Sequence, residues 1–397
     1  MRLAVIGDTQ HYRDDQGQLC ALEPVVNQLD RWARLFDEVV ICAPLDPGPP
    51  PAGFAPYRST NLTIEPVRKG GGNSLWKKVG MVRYLGHWAW TTRRVARSVD
   101  GVHLRCPCNI AFVAILSTLG TGAHRYAMYA GVWHGYAGEP TSYRMQRWLL
   151  SRRWFGGPVS VYADRDQQRP HLEPLFSPSF TLEDWERATP VADAKVDRIR
   201  GRSAGDPVAL VSVGRLTPNK NQRTIVAALP GIVSAGVDAR LDLYGDGPTR
   251  NELETLATGL GVADRVRFHG SVTHGEVMSA FASADLNLLS TRQEGYGKVL
   301  LEGMVHATVP IFGTSPVSGE ISGGGRRGLV FEPDDVAALV DHVVGLVGDP
   351  QRWADMAVAA REYSTLVSLE TFQDQVQGML ERHWGVELPA AGLSGDR

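Results

Sequence analysis

Short apolar runs alternate with amphipathic stretches along the whole chain, and the alternation predicts strands and helices in turn. In the first half the runs "RLAVIG", "EVVICAP", "VHLRC", "RYAMYAG" and "VSVYAD" read as strands. "EPVVNQLDRWARLF" and "CNIAFVAILSTLG" read as helices between them. The second half repeats the theme with "PVALVSVGRL", "ARLDLYGDG", "VRFHGSV", "LNLLST", "TVPIFGT" and "GLVFEP". Strands separated by helices are the pattern of βαβ units around a parallel sheet, so the fold class is α/β.

A chain of 397 residues is long enough for two such domains. The polar stretch over 183–206, punctuated by Pro and Gly, reads as the linker between an N-terminal domain at 1–182 and a C-terminal domain at 207–360. Helices over 361–385 are expected to pack back on the N-terminal domain, and 386–397 have the composition of a loose tail. Two doubly wound, Rossmann-like sheets in tandem predict a cleft between their strand carboxyl ends, where such folds take ligands.

Composition narrows the class without naming a chemistry. Hydrophobic residues make up 43% and charged residues 21%, the range of a globular protein. The four cysteines are too few and too uneven for a secreted disulfide framework, and Cys106-Pro-Cys108 lacks the two-residue spacer of a redox or zinc pair. A reducing cytosol is the expected location. The opening "MRLAVIGD" reads as a first strand rather than an export signal, and no run of about 18 apolar residues predicts a spanning helix, so membrane contact is expected to be peripheral. The formal net charge of −2 conceals an asymmetry, because the first 182 residues are net basic and the rest net acidic.

The chemistry concentrates in the second half. Glu294 follows the predicted strand "LNLLST", and a helix can begin within "GYGKVLLEGMVHA". A helix start offers unpaired N–H groups to an anion, and the glycines at 295 and 297 let that anion approach the backbone. Glu302 lies one to two turns further in, so the two carboxylates can accept hydroxyl hydrogen bonds on opposite sides of a phosphate. Arg215 and Lys220, in "VGRLTPNKN", follow another strand and supply cations for a pyrophosphate. "GDGP" at 245–248 is a tight turn suited to lie over a ligand. Each piece alone has a bland reading, a solvated helix face or a surface loop; their order together does not.

That order, G-R-L-x-x-x-K, then G-D-G-P, then F-H-G-S-V, then E-G-Y-G-K-V-L-L-E-G-M, resembles the large retaining glycosyltransferase family 4 of the two-domain GT-B fold. The likeness is close over 207–350 and holds only in outline for the first half. The resemblance implies that Glu294 holds donor-sugar hydroxyls, that Gly295, Tyr296, Gly297 and Lys298 offer backbone amides, and that Glu302 holds the ribose. It further implies that Arg215 and Lys220 bind the diphosphate and that Val272 lies near the base. The expected donor-binding set is therefore Gly214, Asp246, Gly247, Val272, Gly295, Tyr296, Gly297, Lys298, Val299 and Glu302. The expected catalytic set is Arg215, Lys220, Glu294 and His134.

The first half departs from that family. Its opening turn "GDTQHYRDDQGQL" lacks the usual glycine-rich pattern, and the position of the family's first-domain histidine falls at Tyr129 or Ala130. His134, a few residues on, and His103, at the end of its strand, are the substitutes for a donor-sugar contact. "ADRD" imitates a metal-binding D-x-D through Asp164 and Asp166 but reads as a strand-end loop, and no metal is expected. Trp76, Trp88, Trp90, Trp148 and Trp154 interleave with Lys and Arg in two predicted helical stretches. Such helices either lie on an anionic membrane surface or pack their tryptophans inward.

The resemblance thus implies a retaining hexosyltransferase without a cofactor. Its donor would be a nucleoside diphosphate sugar, with UDP the expected nucleotide, and its acceptor a hydroxyl of a glycan, a lipid-linked sugar or a secondary metabolite. Nucleic acid is not expected as a partner. A non-hydrolysing nucleotide-sugar epimerase and a catalytically silent sugar-nucleotide binding protein are the alternatives.

Overall fold

The computed structural model describes residues 1–51, 53–70, 75–136, 138–162 and 168–389, with side chains of the Leu75–Ala96 helix from residue 83 onward. Asp164, Asp166 and the side chains of Trp76, Lys77 and Lys78 lie outside the described residues. The chain divides into two compact units, Met1–Phe176 with Thr371–Arg397, and Ser177–Glu370.

The N-terminal unit is built on seven parallel strands in the spatial order Leu172–Pro174, Val159–Val161, His124–Tyr129, Gly101–Cys106, Arg2–Ile6, Glu38–Ala43 and Leu62–Pro66. The inner strand Arg2–Ile6 buries Leu3, Ala4, Val5 and Ile6 alike, as a parallel strand covered on both faces must. A small antiparallel sheet of Tyr12–Arg13, Leu19–Leu22 and Phe54–Pro56 stands beside it. The Leu369–Trp384 helix completes this unit from far along the chain: the Trp384 indole donates to the carbonyl of Arg125 at 3.1 Å.

The C-terminal unit has six parallel strands in the order Val266–Gly270, Ala239–Tyr244, Val208–Val213, Leu286–Leu289, Val309–Gly313 and Leu329–Phe331. The stretch read as a linker over 183–206 is instead mostly helix, Leu182–Arg200, and belongs to this unit. Thr181 and Asp184 close a capping box at its start, and Ala188, Ala192, Val196 and Ile199 form a narrow buried stripe. Small apolar residues and an internal Pro190 gave that stripe the look of a loop.

In each sheet the first strand in the chain has the second on one side and a later one on the other. Arg2–Ile6 lies between Glu38–Ala43 and Gly101–Cys106, and Val208–Val213 lies between Ala239–Tyr244 and Leu286–Leu289. Loops leaving the carboxyl ends of the two strands that flank this reversal diverge, and the gap is where open α/β sheets hold ligands.

Candidate active site

At the reversal in the C-terminal unit the two diverging loops are laced together. The Ser290 hydroxyl donates to the Asn221 carbonyl at 2.6 Å, and the backbone N–H of Arg292 donates to the Asn219 carbonyl at 2.9 Å. Asn219 returns a bond to the carbonyl of Gln293 at 3.1 Å. Arg292 donates to the carbonyl of Pro218 and grips Asp334, whose carboxyl it holds below the usual range. Residues 214–221 and 290–297 therefore form one platform.

On that platform Lys220 Nζ lies 2.6 Å from Oε2 of Glu294, both side chains half-buried. Two residues assigned from sequence to one ligand thus meet in the structure. The helix expected after Gly297 runs over Lys298–Val305, and Gly297 precedes it with φ of 78°, a left-handed conformation that glycine adopts without strain. No side chain caps this helix, and a helix start is where backbone N–H groups can serve an anion. Asn287, buried in the neighbouring strand, donates to the carbonyl of Val299 at 2.8 Å and fixes the helix to the sheet.

The "GDGP" turn packs against the Arg215 loop, backbone to backbone. A Cβ on Gly245 or on Gly247 would stand 2.2 Å from the carbonyl oxygen of Gly214 or of Leu216 respectively, so only glycine fits. Leu216 N–H donates to Asp246 O at 3.0 Å, and Asp246 Oδ1 accepts from the N–H of Gly247. Arg215 is exposed and makes no ion pair among the described residues. An unpaired guanidinium beside a helix start suits a pyrophosphate.

Glu302 lies deeper than an open helix face, only 6% exposed, and accepts a short bond from the hydroxyl of Ser179. Tyr296 differs from its neighbours in the glycine-rich loop: its side chain is buried, so its backbone is the part that can serve a ligand. Val272 lines a cavity of about 350 Å³ with Tyr244, His269 and Glu276, and Tyr244 stacks on His269 with ring centroids 4.1 Å apart.

The first-half candidates separate. His103 does not reach a ligand site: it is fully buried between Trp32 and Tyr126, at 4.4 and 4.7 Å, and burial depresses its pKa far below that of a free histidine. Its position near the strand end suggested exposure, but the side chain points to the face covered by the Glu23–Ala33 helix. Tyr129 is buried against Trp133, whereas Ala130 is exposed. His134 is exposed and lines a cavity of about 430 Å³ with Arg144, Arg147 and Trp148. The tryptophans divide between the two readings, Trp88 buried, and Trp90, Trp148 and Trp154 exposed. Among the described residues no three His, Cys, Asp or Glu side chains gather as a metal site, and no helix is long and apolar enough to cross a membrane.

This arrangement has relatives. The sequence profile of the family "Glycosyl transferases group 1" matches residues 193–363. A GDP-mannose-dependent alpha-(1-6)-phosphatidylinositol monomannoside mannosyltransferase of Mycolicibacterium smegmatis is 32% identical over 280 residues, 67% of this chain and 72% of the relative. The chain belongs to the group 1 glycosyl transferases. This glycosyltransferase also shares its fold with Anabaena Alr3699/HepE, solved in complex with UDP and glucose. That likeness has a TM-score of 0.68 and 14% identity, and covers 96% of this chain and 99% of that one. Sucrose-phosphate synthase from Thermosynechococcus elongatus gives a TM-score of 0.70 at 17% identity over 97% of this chain and 99% of that one. The two parallel-sheet units of the glycosyltransferase are therefore those of the GT-B fold.

Several parts of the site escaped sequence reasoning. Ser179, Asn221, Ser290 and Arg292 hold the named residues in place, and none carries a motif of its own. Asn221 gave one usable signal, since Asn tolerates the left-handed conformation it adopts here, with φ of 54°.

Proposed function

We propose that this glycosyltransferase transfers a hexose, with retention of configuration, from a nucleoside diphosphate sugar to an acceptor hydroxyl, as a family 4 enzyme. The observation that carries the reading is the Lys220–Glu294 pair beside the uncapped start of Lys298–Val305. One seat then offers a cation, a carboxylate and the positive end of a helix. In the reaction the bond from the anomeric carbon to the diphosphate breaks while the acceptor oxygen bonds that carbon on the same face, and the hydroxyl proton leaves toward the departing phosphate oxygen. Arg215, Lys220 and the helix start stabilise charge growing on the leaving group. Glu294 and Glu302 take hydroxyls of the sugar and the ribose, and Gly214, Asp246, Gly247, Gly295, Lys298 and Val299 shape the seat. Neither a metal nor a covalent sugar–enzyme intermediate enters this scheme.

GDP-mannose is the first donor to test, because the M. smegmatis relative bears it in its name. A UDP-hexose, UDP being the nucleotide expected from sequence, is the second. A membrane-borne acceptor at the cytoplasmic face is supported by exposed Trp148 and Trp154 beside Arg144, Arg152 and Arg153, with Arg152 stacked 4.9 Å over Trp148. The test incubates purified enzyme with each donor, with and without lipid extract, and assigns the anomeric configuration of the product by NMR. An acceptor-free change of the nucleotide sugar would identify an epimerase instead, an inverted product would end the retaining reading, and binding without turnover would leave a silent binding protein.

A further inference from the structure

The reversal in the N-terminal sheet holds a different group. Arg105 sits in the Gly101–Cys106 strand, at its carboxyl end, beside the strand Arg2–Ile6. Its stem crosses Gly7, where an added Cβ would come within 3.2 Å of the Arg105 Cβ. Nη1 donates to Oε1 of Gln28 at 2.8 Å, which aims the half-buried guanidinium. No carboxylate pairs with it among the described residues. Asp8 acts on it only at longer range, with its own hydrogen bond directed to Cys108. Two of the surrounding phenols are committed elsewhere, Tyr57 to His11 at 2.9 Å and Tyr126 to Ser160 at 3.0 Å.

Among the described residues Arg105 is therefore a positive charge taken partly out of water without a counter-ion. An arginine stays protonated even when burial lowers its pKa, as it does here. Buried charges are ordinarily paired, and leaving one unpaired is destabilising. Nε and Nη2 have no protein partner among the described residues, yet neither is sealed from solvent. The group has the fork geometry that matches an oxyanion with two parallel hydrogen bonds, and it stands where open α/β sheets take ligands.

We propose that Arg105 receives an oxyanion, a phosphate or carboxylate group, carried by the acceptor substrate. This rests on the transferase reading, in which the donor occupies the C-terminal seat and the acceptor is left to the N-terminal unit. Gln28 acts as a positioning residue for the fork.

The test uses the full chain and follows binding by calorimetry and thermal shift. Inorganic phosphate and glycerol 3-phosphate should bind, and glycerol should not. Arg105→Gln should weaken glycerol 3-phosphate at least tenfold, Arg105→Lys less, and Gln28→Ala a few-fold, while GDP or UDP binding stays within twofold of the parent. Vesicles of phosphatidylinositol, against phosphatidylcholine, tell a lipid headgroup from a soluble ester: Arg105-dependent retention on the former assigns the lipid, its absence alongside glycerol 3-phosphate binding the ester. Unchanged anion binding in Arg105→Gln, or equal binding of glycerol, overturns the proposal. If Arg105→Gln loses nucleotide binding through misfolding, the folded Gln28→Ala and Arg105→Lys proteins decide. Failure of the parent to bind either nucleotide refutes the transferase reading, whereas nucleotide binding without anion binding refutes only this one.

Discussion

The two sheets share one topology and differ in what stands at the reversal. In the C-terminal unit the loops after Val208–Val213 and Leu286–Leu289 are bound to each other by Ser290, Asn219 and Arg292, and glycines bring backbone against backbone. In the N-terminal unit the first loop is pinned by a histidine, His11, held between the carbonyl of Thr9 and the hydroxyl of Tyr57, and a half-buried arginine, Arg105, is held by Gln28 at the end of the adjacent strand. Position in the sheet thus determines where a ligand goes, and the residues placed there determine which ligand. A polyphosphate needs backbone N–H groups and therefore glycine. One oxyanion needs only a fork.

The sharpest test of that contrast is Arg215→Ala. Loss of a group stabilising the departing diphosphate should lower kcat by about 10²–10³-fold, with little change in donor KM. An equal rise in KM with kcat intact would move Arg215 from the transition state to simple binding. Gly245→Ala comes next: its Cβ would collide with the carbonyl oxygen of Gly214, and strain of about 1–3 kcal/mol should lower the melting point and abolish nucleotide protection together. A normal melting curve would show that the "GDGP" loop is free to move away from the Arg215 loop.

Acid compares the units directly. His11 and His103 in the N-terminal unit and His306 in the C-terminal unit are buried and neutral, with burial pulling His11 and His306 down to about 4 and His103 well below the usual value. An unfolded histidine takes its proton near pH 6.5, so the stability from these sites is full above that pH and is lost as pH falls from about 6.5 toward 4. Calorimetry from pH 7 to 5 should show a falling melting point, with the N-terminal transition moving further. A nucleotide should move only the other. The smallest effect is expected from Ser179→Ala, about 1 kcal/mol in nucleotide affinity through the lost bond to Glu302.

How much of this was legible in the sequence depends on burial. The inner strands announced themselves because residues such as Val5, Val102 and Leu288 are buried on both sheet faces and leave unbroken apolar runs. The edge strands Leu62–Pro66 and Leu172–Pro174 and the three-stranded sheet were missed, being short, Pro-ended or half-exposed. Arg215, Lys220, Glu294 and Glu302 were legible through spacing, since a loop and a helix start recur at fixed offsets from strands. Arg105 and Gln28 were not, because 77 positions separate them and only the packing of one helix on one strand joins them.

The crossing of the chain between units has a consequence for biosynthesis. The N-terminal unit lacks its closing helix, Leu369–Trp384, until the whole of Ser177–Glu370 has been translated. At about 5–20 residues per second that delay runs to tens of seconds. Through it, the nascent unit leaves open the apolar surface around Phe36 that Trp384 later covers, and the Arg125 carbonyl waits for the indole N–H that will satisfy it.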